Sequence, residues 1–319
     1  MWYNGIMEYI LLTIALAGLA IKGYCGKKTS NYVTSTGDSY TFNLLRMVFC
    51  ILIGTVLVLG EGAGEFLVIE LPMLGICLLS GAANAAFLVG WILAIRKNSM
   101  VSVDVGLTMG SIVPAVLCAF LFGEAISWMK MIGFALILLA TAILAARGSK
   151  KVNGSFSGLL LLIFAALGDG MTGFAQQLFK QFYTESGICH HGVFYPKSVY
   201  HFYTYVFAAL VLLLALIGYH ACNHKKGETV TSQKRLALPL PVVLHVLVMA
   251  ICLFVSNYLQ TVITNDFAMP SQVLYPVIKG GCLITVNLTA MLFFGERITW
   301  RSALGSLIAL GGIVCMNVL

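Results

Sequence analysis

Gly295-Glu296-Arg297-Ile298-Thr299-Trp300 separates two apolar segments near the C-terminus, and Gly123-Glu124-Ala125-Ile126-Ser127-Trp128 does the same in the first half of the chain. An offset of 172 residues (296 − 124) superimposes the two motifs. The same ungapped offset also aligns Gly133 with Gly305. A register that holds over this many positions indicates a duplicated unit, because a chance Gly-Glu dipeptide would not extend in both directions.

The composition is that of a membrane protein. Hydrophobic residues make up 60% of the chain and charged residues only 10%, whereas a soluble domain has roughly 25% charged residues. A helix needs about 20 apolar residues to span a bilayer, and the long apolar runs favour helices over alternating barrel strands. We predict ten spans, at 6–26, 41–60, 67–95, 99–121, 127–146, 157–179, 197–219, 238–263, 267–294 and 300–318.

The repeated motif carries a resemblance to a known family. A membrane helix that ends in Gly-Glu, followed by Ile, Ser or Thr and a Gly-containing helix, resembles the drug/metabolite transporter superfamily, most closely its ten-helix, EamA-like members. Specific motifs match only at 123–133 and 295–305. The resemblance implies an all-α polytopic membrane protein with ten transmembrane helices, arranged as two inverted five-helix repeats, 1–150 and 151–319. It also implies alternating access and a small organic substrate, whose identity the fold does not determine.

The midpoint of the chain supports this division. The basic, Gly- and Ser-containing segment 147–157 lies between the fifth and sixth predicted spans and is typical of a linker. Five spans per repeat is an odd number, so the second copy would insert upside down, as in many secondary transporters.

Basic residues are distributed unequally among the predicted loops. Loops after odd-numbered spans carry fifteen Lys and Arg residues, a count that includes Lys22 and Arg46, and loops after even-numbered spans carry three. By the positive-inside rule the loops after odd-numbered spans are cytoplasmic, so we expect both termini to lie outside. We expect the protein in the plasma membrane, which in a bacterium is the inner membrane. This prediction departs from the resembled superfamily, whose better-known members keep both termini in the cytoplasm.

Two charges lie near the middle of predicted spans, Asp169 in 157–179 and Lys279 in 267–294. A charge at the centre of a bilayer costs about 2.5–3.5 kcal/mol on insertion scales, so it normally faces a cavity or a partner. Each charge heads a polar face with helical spacing. The polar positions are Asp169, Gly173, Gln176 and Lys180; Gln272, Tyr275 and Lys279; and, in the fourth span, Asp104, Thr108 and Ser111.

These charges allow two interpretations. Asp169 and Lys279 either pair with each other and hold helices together, or they contact a substrate. In the second case Lys279 donates to an anionic group, and Asp169 is the counter-charge of a cation or a proton carrier. Both charges together suit a zwitterion such as an amino acid. Further candidates for the cavity wall, which could equally serve helix packing, are Asn84, Trp91, Asn257 and Gln260.

Other positions have structural interpretations. Glu124 and Glu296 precede helices, where a carboxylate complements the helix dipole. Pro114 predicts a kink in the fourth span. Gly168 and Gly170 predict either close helix packing or a broken helix beside Asp169.

Enzyme and metal functions are not expected. No Gly-x-Ser-x-Gly, phosphate-loop or dinucleotide motif occurs in a usable context, so we predict no catalytic residue and no cofactor. The groups Cys189-His190-His191 and His220, Cys222 and His224 lack zinc spacing and flank a predicted span, which places them on opposite sides of the membrane.

Two functions remain. The first is a secondary transporter of a small organic metabolite, such as an amino acid or a drug-like solute. The second is a flippase of a lipid carrier or another phosphate-bearing substrate, from the same superfamily. The expected partners are the solute and the lipid bilayer, with proton or exchange coupling and no nucleic acid, and a homodimer is left open.

Overall fold

The computed structural model describes residues 2–123, 126–145, 156–185, 194–225, 239–267, 271–296 and 299–317. Glu124, most of the linker at 147–157 and Cys189-His190-His191 lie outside the described residues. Within the described ranges the chain is helical and contains no strand. The helices are α1 (Trp2–Thr29), α2 (Thr36–Gly60), α3 (Leu71–Lys97), α4 (Met100–Leu107), α5 (Ile112–Phe122), α6 (Trp128–Ala145), α7 (Phe156–Tyr183), α8 (Lys197–Lys225), α9 (Leu240–Asp266), α10 (Ser271–Phe294) and α11 (Trp300–Asn317).

Length and composition make this a multi-pass membrane protein. Among the described residues, eight helical segments are long and apolar enough to cross a bilayer, and two apolar helices, Trp128–Ile143 and Ala303–Cys315, are shorter. Large hydrophobic side chains also face outward from the bundle, as at Val56 and Phe120, which are 70% and 83% exposed. The eight segments are Met7–Tyr32, Thr36–Gly60, Leu71–Lys97, Met100–Phe122, Gly158–Tyr183, Lys197–Cys222, Leu240–Asp266 and Val277–Phe294.

Local sequence signals set several helix starts. Ser35 and Asp38 form a capping box at α2: the Ser35 hydroxyl accepts from the Asp38 N–H, and the Asp38 carboxylate accepts from the Ser35 N–H. The Ser99 hydroxyl accepts from the Ser102 N–H at the start of α4. These contacts satisfy backbone donors that have no partner within the helix.

The main helix pairs cross the midpoint of the chain. Helix α3 packs along α7, α1 along α9, α2 along α8 and α6 along α11. The α3–α7 pair is close because Gly168 lies against α3, where a Cβ would stand 2.6 Å from the Phe87 backbone nitrogen. Helix α7 itself is continuous. Glycine therefore serves close packing here, not a helix break.

The irregular helix is instead the fourth predicted span, in which the 3-10 turn Thr108–Ser111 connects α4 and α5. Pro114 has no N–H to donate to the Gly110 carbonyl four residues earlier, which weakens the helix at that turn. Gly110 also lies so close to α7 that a Cβ on Gly170 would stand 2.4 Å from the Gly110 oxygen. The span therefore stays helical through the turn but tightens there from α-helical to 3-10 geometry.

Two basic residues that were counted with the loops are buried inside helices. Lys22 is 7% exposed in α1, which continues to Thr29, and Arg46 is 0% exposed in α2, ten residues after its start at Thr36. Their assignment to loops was wrong because both stand near the edge of a predicted span, where a long side chain can reach the interface. Without them the loop count is thirteen against three, so the direction of the bias is unchanged.

Helices α1, α3 and α10 finish at the same end of the bundle, which we call the basic end. There the Lys27 Nζ lies 3.3 Å from the carbonyl oxygens of both Ile95 and Asn98. It also lies 3.3 Å from Glu296 Oε1. One ammonium group thus ties the ends of three helices together.

Glu296 caps a different helix from the one predicted. Its two carboxylate oxygens lie 3.3 and 3.2 Å from the Met100 N–H at the start of α4, whereas the sequence suggested a role at the following helix, α11. The chemistry is as expected, because a carboxylate at a helix N-terminus complements its dipole. The partner differs because the motif leaves α10 at the point where α4 begins, a proximity that sequence spacing does not reveal.

The opposite end of the bundle holds a second set of polar contacts. Glu61, after α2, accepts hydrogen bonds from Ser198 of α8 and from the Tyr258 hydroxyl of α9, the latter at 3.0 Å. Lys197 pairs with Asp266 at 2.7 Å. Helices α2, α8 and α9 are therefore joined at this end.

Candidate functional site

A cavity lies inside the bundle, bordered by α1, α3, α4, α5, α7, α9 and α10. The space open to the centre of a water molecule is about 80 Å³, several times the roughly 10–15 Å³ that one water needs. The 3-10 turn between α4 and α5 forms part of the cavity wall, since Gly110, Ser111 and Pro114 all line the cavity. The cavity is thus large enough for a small solute or for several waters.

The two central charges meet in this cavity. Lys279 of α10 donates to Asp169 Oδ2 of α7, and the two side chains are only 19% and 18% exposed. Asp169 is midway along the 28 residues of α7, and Lys279 lies about a third of the way along the 24 residues of α10. Removing one member of such a pair is costly, because the remaining charge is left buried without a partner. The pairing fits both interpretations made from the sequence, a structural link and a substrate contact.

The polar face of α7 continues from Asp169 along the cavity. The Tyr275 hydroxyl lies 2.7 Å from Gln176 Oε1 and 3.0 Å from the Gly173 carbonyl oxygen, so it can donate to one of them at a time. All three residues line the cavity. The Gln272 side chain lies outside the described residues. Helical spacing thus predicted a polar face of α7 of which Asp169, Gly173 and Gln176 line the cavity, whereas Lys180 is not among the lining residues.

The remaining candidates divide into two groups. Asn84, Trp91, Asn257 and Gln260 line the cavity. Asn257 donates to the Tyr205 hydroxyl at 3.2 Å, whereas the Asn84 amide nitrogen is buried and has no hydrogen-bond acceptor within the described ranges. Thr108 lies behind the wall, where its hydroxyl donates to the Val105 carbonyl at 2.6 Å.

Asp104 brings a second carboxylate to the cavity. It lines the wall from α4. Its Oδ1 accepts a weak hydrogen bond from Cys282 Sγ at 3.6 Å, and its buried Oδ2 has no hydrogen-bond donor among the residues that the structure describes. A buried carboxylate oxygen without a donor is costly. Among the described residues Asp104 Oδ2 therefore lacks a hydrogen-bond partner, and the ammonium groups of Lys279 and Lys22 act on this carboxylate only from a distance.

Lys22 brings a second cation. Its Nζ lies over two rings that line the cavity, 5.1 Å from the centroid of Phe87 and 5.5 Å from that of Trp91. In the described part of the chain it makes no hydrogen bond and no ion pair. A cation–π contact contributes of order 2 kcal/mol when desolvated, which is less than the several kcal/mol that burying an ion costs. The two rings alone do not account for this buried charge.

Arg46 lies against the same tryptophan from outside the cavity. Its Cζ is 5.6 Å from the Trp91 ring and 5.4 Å from the Phe42 ring. Its Nη2 is 3.7 Å from Met249 Sδ, while Nε and Nη1 have no acceptor within the described ranges. Arg46 therefore adds positive potential near Lys22 without contacting the cavity.

The cavity thus holds two cations and two carboxylates, Lys22, Lys279, Asp104 and Asp169, close enough to influence one another electrostatically. Sequence reasoning selected Lys279 and Asp169, placed Asp104 only on a polar face and assigned no function to Lys22.

The sequence contains a signal that Lys22 lies on an inward face of α1. Gly18 and Gly26 stand four residues on either side of it, and small residues mark a packed helix face. A Cβ at Gly18 would stand 2.6 Å from the Ser256 hydroxyl, and one at Gly26 would stand 2.2 Å from the Trp91 ring. The glycine spacing therefore marks the side of α1 that turns inward and carries Lys22.

A crystal structure of a protein superposes on this chain with a TM-score of 0.63 at 14% sequence identity, over 98% of this chain and 96% of the other. At this identity the similarity shows a shared fold and carries no information about function. No family model matches the chain, and no curated protein matches it.

Proposed function

We propose that the protein is a secondary active transporter of a small organic metabolite, an amino acid or a drug-like solute, and that it works by alternating access. The observation that carries the proposal is the polar cavity inside a multi-pass bundle, with the Asp169–Lys279 pair in its wall. Intramembrane charges are expensive and usually mark the path of a solute or an ion.

The helix pairing supports two five-helix repeats. If the first repeat ends after α6 and the second begins at α7, then α1 corresponds to α7 and α3 to α9. The α1–α9 pair is then equivalent to the α7–α3 pair, and α2–α8 and α6–α11 each join equivalent helices. Such a set of pairs is what a two-fold relation between the halves produces, and an odd number of spans makes that relation inverted.

The motif geometry supports the same register. Gly123 and Gly295 both adopt a left-handed conformation, with φ of 67° and 58°, which glycine tolerates at the end of a helix. Each follows the last residue of an apolar helix, α5 and α10. The next helices begin at Trp128 and Trp300 and contain 18 residues each.

We include α6 and α11 among the spans. An 18-residue helix is about 27 Å long at 1.5 Å per residue, close to the roughly 30 Å hydrocarbon thickness of a bilayer. Both helices expose large apolar side chains, including Leu139 and Leu307, which are 50% and 63% exposed. With these two the bundle has ten spans.

In this mechanism the Asp169–Lys279 pair changes state during the transport cycle. Its two helices, α7 and α10, both belong to the second half of the chain, and each packs against a helix of the first half, α7 against α3 and α10 against α1. A solute or a proton that competes for either charge would alter the link between α7 and α10, and with it the way these two helices pack against the first half. That competition would couple binding to the exchange between inward and outward conformations.

Transport by purified protein in liposomes tests the proposal, with a panel of amino acids, organic acids, amines and drug-like solutes. We expect Lys279→Met to abolish uptake of an anionic or zwitterionic substrate while the protein still inserts. Asp169→Asn should lose uphill transport and keep exchange if Asp169 carries the proton. It should lose binding altogether if Asp169 is a counter-ion.

Lys28→Met is the matched control, because Lys28 is an exposed residue that does not line the cavity. If both cavity variants fold and transport normally, the pair is only a structural link. If no solute is transported and the protein instead moves labelled phospholipids between leaflets, the flippase function replaces the transporter.

A further inference from the structure

We infer that Lys22 and Asp104, not the Asp169–Lys279 pair, bind the two charged groups of a zwitterionic solute of amino-acid size. Lys22 takes the carboxylate and Asp104 takes the ammonium group. This inference rests on the proposed transport function and assigns a substrate class to its cavity.

The first argument is which charges are free. Lys279 and Asp169 satisfy each other. Within the described ranges Lys22 makes no hydrogen bond or ion pair and lies over two aromatic rings, while Asp104 accepts one weak hydrogen bond, from the Cys282 thiol, and leaves Oδ2 without a donor. The charges of the pair act on both groups from a distance without bonding to either. The free groups are therefore one cation and one carboxylate in the same cavity. A ligand with one carboxylate and one ammonium group satisfies both.

The second argument is the charge balance. The four ionisable groups sum to zero when all are charged, so the cavity is neutral before a ligand enters. A simple anion or cation would leave a net charge in a low-dielectric site, which is unfavourable. A zwitterion adds no net charge and supplies both missing partners. Arg46 does not line the cavity, but its Cζ lies 5.6 Å from the centroid of the Trp91 ring, and its positive charge favours the carboxylate at the Lys22 end.

The third argument concerns the rest of the ligand. Much of the remaining wall is apolar, including Leu19, Phe87, Leu253, Ile278 and Val286. An aliphatic or aromatic side chain fits such a surface, and a polar one would lose its hydration without gaining partners. Leucine and phenylalanine are therefore the appropriate probes.

The test measures binding of three related ligands to the purified full-length protein: leucine, leucinamide, which lacks the carboxylate, and 4-methylpentanoate, which lacks the amine. We expect the wild-type protein to bind leucine at least about tenfold more tightly than either analogue, since each analogue leaves a buried charge unpaired. Phenylalanine should likewise bind more tightly than its two corresponding analogues.

The two cavity variants should shift this preference in opposite directions. Lys22→Met leaves a surplus negative charge, so it should weaken leucine binding about tenfold or more and make leucinamide the preferred ligand. Asp104→Asn leaves a surplus positive charge and should favour 4-methylpentanoate. The double variant is neutral again and should bind all three weakly without a charge preference.

Lys28→Met and Glu65→Gln are matched controls, because both residues are exposed and do not line the cavity. Unchanged ligand preference in folded Lys22→Met and Asp104→Asn would overturn the inference, as would a preference that shifts only in Lys279→Met and Asp169→Asn. Failure of the wild-type protein to bind either amino acid would also overturn it. Transport of other solutes in that case would leave the proposed function standing.

Discussion

Glu296 links three helices with a single carboxylate. It pairs with Lys27 at the end of α1, accepts the Met100 N–H at the start of α4 and follows the last turn of α10. Hydrogen bonds to a charged acceptor are roughly twice as strong as neutral ones. The cavity lies inward from this point, since Met100 also lines it. Glu296 is therefore placed to hold the basic end of the cavity closed.

We predict that Glu296→Gln opens the basic end. The variant loses the ion pair with Lys27 and weakens the hydrogen bond from the Met100 N–H. The side chains of Lys27 and Glu296 are both about one-fifth exposed, so we expect a moderate effect. Cys282 lines the cavity, and its rate of modification by a membrane-impermeant thiol reagent should rise about three- to tenfold. Mass spectrometry of the labelled peptide measures this rate.

Glu65→Gln makes the same charge change at an exposed position near the opposite end and should leave the Cys282 rate unchanged. An unaltered rate in folded Glu296→Gln would show that the carboxylate does not control access.

At this scale the sequence identified side chains that share a helix face. Gln176 and Tyr275 could be placed beside Asp169 and Lys279 because their spacing follows the helical period. Lys22 could not be placed this way, because a lysine near the end of an apolar run equally fits an interfacial position. The spacing of Gly18 and Gly26 marks its side of α1 as packed, and the contact of the Lys22 ammonium group with the Trp91 ring shows that the charge turns inward.

At the scale of the helix, close packing depends on residues without a side chain. Gly168 of α7 lies against α3, where an added Cβ would stand 2.6 Å from the Phe87 nitrogen and 2.8 Å from the Ala83 oxygen. Both atoms belong to the backbone, so neither can move aside by a rotamer change. Helix α7 also carries Asp169 into the cavity, so a shift of this helix would displace the ion pair.

We predict that Gly168→Ala destabilises the protein by about 1–3 kcal/mol, the usual cost of overpacking, and weakens ligand binding. Thermal unfolding in nanodiscs measures the first effect. Gly75→Ala in α3 is the matched control, because nothing lies within 4 Å of its added Cβ. Gly75→Ala should be neutral or stabilising by up to about 1 kcal/mol, since alanine favours helix more than glycine does. Equal stability of both variants would contradict the close-packing role.

The 3-10 turn between α4 and α5 shows how far the sequence predicts the shape of a helix. Pro114 marked the helix as weakened, but the turn forms three residues earlier, at Thr108–Ser111. Its position depends on the approach of Gly110 to Gly170 in α7, a contact between distant parts of the chain. Sequence spacing predicts where a helix can bend, and tertiary packing decides where it does.

The orientation of the whole molecule follows from its two ends. Helix α1 finishes at the basic end and α11 begins just after Glu296, so the first and last described residues both lie toward the opposite end. Basic loops favour the cytoplasmic side. We therefore predict that both termini face outside. A reporter fused after Leu319 should be active outside the cytoplasm.

A reporter inserted in the segment 226–238 between α8 and α9, which carries Lys226, Lys234 and Arg235, should give the opposite result and serves as the control. Cytoplasmic activity of the C-terminal fusion would contradict both the orientation and the interpretation of the charge bias.

The membrane class and helix positions were predictable at this scale because apolar runs of spanning length leave few alternatives. The pairing of α1 with α9 and of α3 with α7 was not. The pairing joins segments far apart in the chain. The proposed repeat register predicts which helices correspond to one another, but it does not predict which helices are in contact.

That pairing has a consequence for biogenesis. The main packing partner of α1 is α9, which begins at Leu240, whereas α1 ends at Thr29. At about 5–20 residues per second, the ribosome needs roughly 10–40 s to make the intervening chain. Throughout that interval the inward face of α1, with Lys22 on it, has no finished core to enter. The insertion machinery or the lipid headgroups must accommodate this charge until the second half of the protein arrives.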